Sequence, residues 1–289
     1  MPLLRTRVTS SALHGRWSTA SVRAGGALCL LLVSSCAEIG TSPDEPAAIE
    51  LSGLPSPSAV IGDTLRNEAG AVTPVRATVL NVRGAVIANA AVRYLYADLN
   101  RDTALAVDSV TGIVRVLRAS TGDARVVARA GGSLQVLRVL VTTTRPDSVE
   151  RNSQALTLLT TSLPDTGRAR ATANTSTTLN ATVRHADAAT GGNGVNAWLV
   201  RYEVLRPANP GNDTSAAVFL VDDQGRAGVV DTTDASGNAG RKVRIRAALF
   251  PTIPLDSVIV RATATYRGRT LAGAPVRFAL PVARGTATP

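Results

Sequence analysis

Few residues in this sequence have side chains that could make or break bonds. Nucleophilic catalysis of the Ser-His-Asp or Cys-His type needs an imidazole, and beyond the N-terminal segment the chain has one, His185. His185 lies beside a turn at residues 184–187, where a solvated loop histidine is the ordinary interpretation. The two cysteines, Cys29 and Cys36, both lie near the N-terminus, so their number excludes a zinc site built from His and Cys. We therefore predict no catalytic residue.

Four carboxylates could instead hold calcium, because that ion takes oxygen ligands. They share one polar stretch of the C-terminal half and are Asp222, Asp223, Asp231 and Asp234. Their spacing fits no EF-hand loop, and acidic residues are common in the turns between strands. A calcium site and a set of turn residues are both open interpretations. We favour the turns and predict neither a metal site nor a cofactor.

A site that binds or cleaves sugars would need aromatic rings for stacking, and a glycosidase would also need two carboxylates across a cleft. Aromatic residues make up only 3% of the chain. The run around Trp198 is strand-like, which predicts a core residue packed between two sheets. Tyr94 and Tyr202 are expected to be structural as well. The scarcity of rings counts against both kinds of sugar site, and we predict that the chain is not an enzyme.

The distribution of charge argues against a nucleic-acid partner. The formal net charge is +10, but it falls to about +6 without the arginines of the N-terminal segment, Arg5, Arg7, Arg16 and Arg23. The other arginines are spread singly along the predicted strands and form no basic stripe. We therefore predict no binding to nucleic acid.

The N-terminal segment has the parts of a secretory signal peptide. Arginines without acidic residues form its basic region, the run GALCLLLVSSC at residues 26–36 is apolar, and small residues close that run. The run is shorter than the roughly 20 residues that a membrane-spanning helix needs. These features predict export and removal of the segment, and they argue against a transmembrane anchor.

The motif VSSC at residues 33–36 resembles the lipobox of bacterial lipoproteins. The resemblance implies a signal peptide at 1–35, cleavage between Ser35 and Cys36, and a thioether-linked diacylglycerol on Cys36 that tethers the protein to a membrane of the cell envelope. Ala37 is not the Asp that retains many lipoproteins in the inner membrane, so the resemblance favours the outer membrane. The alternative is an ordinary secreted protein with a chance cysteine.

The remainder of the chain predicts an all-β fold of two tandem Ig-like β-sandwich domains. Residues 36–46 are small, polar and proline-bearing, which suits a lipidated cysteine followed by a flexible tether. Beyond them, runs of about four to eight residues rich in Val, Ala, Thr and Leu are separated by turn residues. We expect one sandwich at 47–145, a second at 146–283 and a C-terminal tail at 284–289. The strands predicted for the first sandwich are Ala48–Leu54, Val75–Asn81, Ala90–Ala97, Ala104–Val107, Ile113–Arg118, Ala124–Ala130 and Leu134–Thr142.

The two sandwiches are expected to be copies of one another. The triplet ATV at 77–79 recurs at 181–183, and the triplet VRY at 92–94 recurs at 200–202 in the same order. The closing hairpin of the first copy corresponds to residues 257–282. Preserved order makes these short matches an indication of an internal repeat.

Two segments resemble bacterial Ig-like domains of the invasin and intimin kind. Residues 84–94, GAVIANAAVRY, approximate the pattern G-x-P-V-x-x-A-x-V-x-F of that family without its proline, and residues 233–239, TDASGNA, match its pattern T-D-A-x-G-x-A. The resemblance extends over about residues 47–283. It implies a β-sandwich fold and a binding or spacer role, and it implies no chemistry.

The expected function is that of a membrane-anchored envelope lipoprotein, in which the sandwiches form an adhesion, binding or spacer module towards a protein or a surface polymer. The alternative is a structural subunit that stabilises or presents an envelope membrane-protein assembly. In both cases we expect loops and strand edges to carry the contacts, since loops on a rigid scaffold usually carry binding residues.

Overall fold

The computed structural model describes residues 45–97, 103–120, 124–132, 134–152, 159–160, 174–187, 192–208, 216–246 and 256–283. This part of the chain is built of β-strands joined by turns and loops. Within these ranges there is no helix, and hence none long and apolar enough to cross a membrane. The predicted all-β fold is confirmed.

In the first half, the residues that the structure describes form eight strands. They are β1 (Pro46–Leu51), β2 (Ser58–Val60), β3 (Ala77–Asn81), β4 (Val92–Ala97), β5 (Leu105–Val107), β6 (Val114–Val116), β7 (Ala124–Ala130) and β8 (Leu134–Thr143). One sheet has the order β2-β8-β7-β4, and the pairs β1-β3 and β5-β6 lie across the core from it. Leu65, Tyr94, Val126 and Leu140 are among the buried residues between these layers.

The described residues of the second half form twelve strands. They are β9 (Ser148–Arg151), β10 (Leu159–Thr160), β11 (Leu179–His185), β12 (Asn193–Gly194), β13 (Leu199–Arg206), β14 (Val218–Val221), β15 (Val230–Thr232), β16 (Asn238–Ile245), β17 (Ser257–Thr263), β18 (Thr265–Tyr266), β19 (Arg269–Thr270) and β20 (Val276–Ala283). One sheet has the order β10-β20-β17-β13-β15, and the other has the order β12-β11-β16-β14 with β9 on β11. The small hairpin β18-β19 stands apart from both.

Alternating side chains explain why these segments form strands with one buried face. In β16 and β17, buried residues, which are Val, Ile and Ala except for Arg241, alternate with half-buried residues along the whole length. This period of two places every second side chain in the core, as a half-buried sheet requires. The second core is the larger of the two and includes Tyr202, Ile245 and Phe278.

Several strand pairs repeat between the two halves in identical register. Val79 lies opposite Ile49 in the pair β1-β3, and Val183 lies opposite Val149 in the pair β9-β11. The correspondence extends to the other sheet, where β4, β7 and β8 pair in the same order as β13, β17 and β20. The internal repeat predicted from the short sequence matches is therefore a repeat of topology.

One buried tyrosine occupies the same place in each copy. The Tyr94 hydroxyl accepts a hydrogen bond from the N–H of Ala77 at 3.1 Å, and the Tyr202 hydroxyl accepts one from the N–H of Ala181. The Tyr202 hydroxyl also donates to the carbonyl of Ala239 at 2.7 Å. Burial raises the pKa of Tyr202, so this hydroxyl stays protonated and keeps that proton for its donor bond. Both tyrosines are structural, as expected.

The two cores draw on separate parts of the chain. The buried members of the first lie between residues 51 and 140, and those of the second between 149 and 282. Contacts nonetheless join the described residues of both sandwiches into one compact unit. The division into separately folding domains at 47–145 and 146–283 stays a prediction, and the tail at 284–289 lies outside the described residues.

Candidate functional site

The predicted lipidation site cannot be placed on this structure. Ser35, Cys36 and the signal peptide at 1–35 lie outside the described residues, and of the tether only residues 45 and 46 are described. Lipidation at Cys36 and cleavage before it stay predictions.

His185 is held by the segment that connects the two sandwiches. Its Nδ1 lies 2.8 Å from Asp147 Oδ2 and 2.8 Å from the carbonyl oxygen of Arg145. Asp147 also accepts a hydrogen bond from the N–H of Ala186 at 2.9 Å and pairs with Arg145 at 3.1 Å. Burial alone would raise the pKa of Asp147, but these donors outweigh it and lower that pKa. The histidine is thus fixed to the connection, where sequence reasoning expected a solvated loop residue.

The four aspartates proposed as an alternative calcium site have separate roles. Asp222 and Asp234 each accept backbone N–H groups within their own turn. Asp223 pairs with Lys242 at 3.0 Å, and Asp231 accepts the N–H of Gly240 at 2.7 Å. Among the described residues there is no cluster of three or more His, Cys, Asp or Glu that could hold a metal ion.

Trp198 does not lie where the sequence placed it. It is only half-buried, just before β13, and its ring meets Tyr266 edge to face with 6.0 Å between ring centroids. Tyr266 in turn lies 5.3 Å from the Arg267 guanidinium, a cation–π distance. Both rings pack on the margin of the second core and face the first sandwich, so the prediction of a residue between the sheets was wrong.

The junction between the sandwiches is organised by one buried carboxylate, Asp63. This residue follows β2 and is only 6% exposed. Its Oδ2 accepts hydrogen bonds from Arg66 Nε at 3.0 Å, from the Tyr266 hydroxyl at 2.8 Å and from Arg267 Nε at 2.9 Å. Tyr266 and Arg267 belong to the second sandwich, whereas Arg66 belongs to the first. Donors from both sandwiches therefore bind the same carboxylate.

Hydrogen bonding keeps Asp63 ionised despite its burial. Burial by itself would raise the pKa of this carboxyl. That pKa is instead held well below its usual range by four donors, which are, in order of effect, Arg267, Arg66, the Thr64 N–H and Tyr266. The bond to Asp63 also raises the pKa of Arg267. The junction therefore contains a permanent ion pair at neutral pH.

The turn that places Arg267 against Asp63 has a strained backbone. Arg267 and Gly268 connect β18 to β19, and both have positive φ, 51° and 74°. Such a two-residue hairpin turn favours Asn-Gly, since a larger L-residue in the left-handed region costs about 1–2 kcal/mol. Arg267 adopts this conformation while its guanidinium bonds Asp63, and strained residues of this kind often mark functional contacts.

Further contacts fix the junction on both sides of Asp63. Arg201 donates to both carboxylate oxygens of Glu68, with Nε–Oε1 2.6 Å and Nη2–Oε2 2.8 Å. The Ser58 hydroxyl, which is buried, donates to the carbonyl of Ala197 at 2.7 Å. At Gly70 the two backbones approach so closely that an added Cβ would lie 2.0 Å from the nitrogen of Gly268.

These contacts enclose a cleft of about 540 Å³ between the sandwiches. Its walls come from the loop after β2 on one side and from the ends of β13 and β17 on the other, and include Thr64, Asn67, Trp198 and Thr263. The charged groups within it are mainly paired with one another. The arrangement fixes two sandwiches against each other, and the sequence contained no signal for it, because Asp63 reads as an ordinary turn residue.

Comparison with known proteins adds little to this description. No protein-family model and no curated protein matches the chain. Among solved structures, the EC1-2 fragment of human protocadherin-24 is 13% identical with a TM-score of 0.26, covering 84% of this chain and all of that one. An S-layer protein, rSbsC, is 10% identical with a TM-score of 0.29, covering 85% of this chain and 29% of that one.

The alpha-2-macroglobulin of E. coli is 13% identical with a TM-score of 0.31, covering 85% of this chain and 15% of that protein. The chain spans only about a third of the two protocadherin gamma ectodomains it also matches, 33% and 37% of their lengths. Scores this low support no conclusion about function. The chain is a tandem β-sandwich protein on the basis of its own strand pairing, and these structures are similar to it only distantly.

Proposed function

We propose that this protein is a lipid-anchored envelope protein whose two sandwiches act together as a rigid, non-catalytic spacer or adhesive module. The lipid on Cys36 would hold it to the outer membrane. The sandwiches would present their surfaces to a protein or surface polymer. Its role would depend on shape and reach.

The junction at Asp63 is the observation that carries this proposal. Domains joined in one chain are expected to move relative to one another unless their interface is extensive. Here a buried charge shared by both sandwiches, the bidentate pair Glu68–Arg201 and the backbone contact at Gly70 all oppose such motion. Directional contacts at several separate points favour one relative orientation, which a spacer needs.

The residues most suited to chemistry support a non-catalytic role through their own contacts. His185 and Asp147 bond each other and the connecting segment. Asp222 and Asp234 cap their own turns. These side chains stabilise loops, and this structural role explains their positions.

Rigidity can be measured directly by spin labelling. In a chain that begins at Ala37, which retains no cysteine, labels at Arg83→Cys and Gln224→Cys would report the distance between the sandwiches, since both positions are exposed. We expect a narrow distance distribution from electron double resonance, and a broader one when Asp63→Ala is added. A broad distribution in the parent chain would contradict a rigid spacer.

The anchor and the partner need separate tests. Cys36→Ala should abolish labelling by radioactive or clickable fatty acid and release the protein from the membrane fraction. Unchanged labelling would defeat the lipid anchor. Crosslinking on intact cells followed by pull-down then addresses the partner: a stoichiometric membrane protein would favour the assembly subunit over the adhesive module.

A further inference from the structure

The outer face of the four-stranded sheet in the first sandwich carries an apolar row with exposed side chains. Leu95, Val127 and Leu137 lie opposite one another on β4, β7 and β8. Leu95 is 38% exposed, Leu137 is 48% exposed and Val139 beside them is 43% exposed, whereas Val127, between Leu95 and Leu137, is only 8% exposed. On a solvated sheet face these positions are normally polar, because the other face already supplies the core.

The second sandwich provides an internal comparison at the same three positions. There the row on β13, β17 and β20 is Glu203, Arg261 and Arg277, in the same register. Arg261 pairs with Glu203 at 2.6 Å. The same strand register therefore carries a charged row in one copy and an apolar row in the other. The apolar row is a property of the first sandwich and is not imposed by the fold.

The charges around this row are of one sign. Arg93 and Arg129 lie opposite each other in the next row, and neither forms an ion pair with a described residue. The strands β4, β7 and β8 contain no acidic residue, and of their arginines Arg138 alternates onto the other face with Val126. A second copy of this face would bring like charges together, so a self-pairing sheet face is disfavoured. Apolar side chains bordered by arginines match a partner whose outer layer is anionic and whose interior is apolar.

We propose, building on the lipid anchor of the proposed function, that this face rests on the surface of an anionic lipid bilayer. Leu95, Leu137 and Val139 would enter the boundary between headgroups and acyl chains, and Arg93 and Arg129 would meet lipid phosphates. The occupant is thus the bilayer that also holds the acyl chains of Cys36. The protein would lie against the membrane by its first sandwich.

The length of the tether makes this contact feasible. From Cys36 to Pro46, where β1 begins, there are about ten residues, which span at most roughly 35 Å when extended. Pro46 enters the first sandwich at the end that corresponds to the junction end of the second, where Ser148 begins β9. The first sandwich therefore stays within reach of the bilayer.

Vesicle flotation with the unlipidated chain from Ala37 onward tests the contact independently of acylation at Cys36. That chain retains all described residues. We expect it to float with vesicles of phosphatidylglycerol and phosphatidylcholine and much less with phosphatidylcholine alone. Arg129→Gln should weaken binding about fivefold, as expected for one arginine at an anionic surface.

The decisive variant transplants the row of the second copy into the first. Leu95→Glu, Val127→Arg and Leu137→Arg together reproduce a row that this backbone already carries, and make the face more basic by one charge. We expect the triple variant to bind at least about tenfold more weakly. A merely electrostatic attraction predicts equal or stronger binding. Arg277→Gln, in the equivalent row of the second sandwich, is the matched control and should leave binding unchanged.

Several results would overturn the lipid contact. Unchanged flotation of the triple variant would do so, as would equal binding to the two vesicle compositions. The milder pair Leu95→Ser and Leu137→Ser replaces the triple variant if its circular dichroism shows loss of fold. Sedimentation analysis of the parent chain and the triple variant covers the remaining case. If the parent chain is a dimer that does not bind vesicles, and the triple variant is a monomer, the face is an interface between copies. Because no lipid on Cys36 is involved, failure here leaves the anchor itself untouched.

Discussion

Replacing Asp63 should destabilise the protein measurably even though the residue lies outside both cores. Breaking a buried ion pair costs about 3–5 kcal/mol when the remaining charge stays buried. Here the side chains of Arg66 and Arg267 are 26% and 53% exposed, so water can solvate both after the carboxylate is lost. We therefore expect Asp63→Ala to lower the free energy of unfolding by about 2–3 kcal/mol at neutral pH.

The loss should depend on pH in a defined direction. The pKa of Asp63 is lower in the folded protein than its ordinary value of 3.8. Its charge therefore contributes its full stability above that value, and the contribution is lost as the pH falls from 3.8 towards the folded-state pKa. The difference in unfolding free energy between wild type and Asp63→Asn should be constant above about pH 5. Below 3.8 it should shrink by up to about 1.4 kcal/mol per pH unit.

Urea unfolding followed by tryptophan fluorescence is a suitable assay, because Trp198 lies in the junction itself. Asp223→Asn is the matched control, since Asp223 is 78% exposed in its pair with Lys242 and should cost less than about 1 kcal/mol. A loss at Asp63 no larger than at the control would refute the buried-charge reasoning. So would a difference between wild type and Asp63→Asn that persists unchanged below 3.8.

Three further outcomes are expected. In urea unfolding, Gly70→Ala should lower the free energy of unfolding by about 1–3 kcal/mol more than Gly62→Ala does. The two glycines have similar φ (+85° and +82°), but only at Gly70 would the added Cβ meet the facing backbone. Tyr202→Phe should cost about 1–3 kcal/mol, since the buried Ala239 carbonyl loses its donor; unchanged stability would contradict that bond. Limited proteolysis should release a resistant fragment that begins near Asp147, whereas resistance of the undivided chain alone would count against two domains.

Local pattern was sufficient to predict the strands and the repeat. Strand formation depends on alternation within a few residues, which is visible in β16 and β17 without any knowledge of their partners. The shared triplets at 77–79 and 181–183 indicated the repeat because register in a sheet is fixed by the same alternation. The short strand β2 was missed, since three buried residues, Ser58 to Val60, offer no period to detect.

The junction could not be predicted in this way, because it depends on residues far apart in the chain. Asp63 and Tyr266 are separated by 203 positions, and nothing local distinguishes either from a turn or strand residue. Trp198 was misplaced for a related reason. Its neighbours are those of a strand, but it stands just before β13, where the facing surface is the first sandwich and not the opposite sheet.

The repeat itself indicates where the function of each copy differs. Arg93 and Arg201 occupy the same position, one residue before the buried tyrosine. In the second sandwich this arginine binds Glu68 of the first and helps to close the junction. In the first sandwich it is exposed, beside the apolar row, and has no ion pair with a described residue. The arginine position that meets a neighbouring sandwich in one copy is thus exposed in the other, where its charge and the exposed leucines beside it suit an anionic lipid surface better than another sandwich.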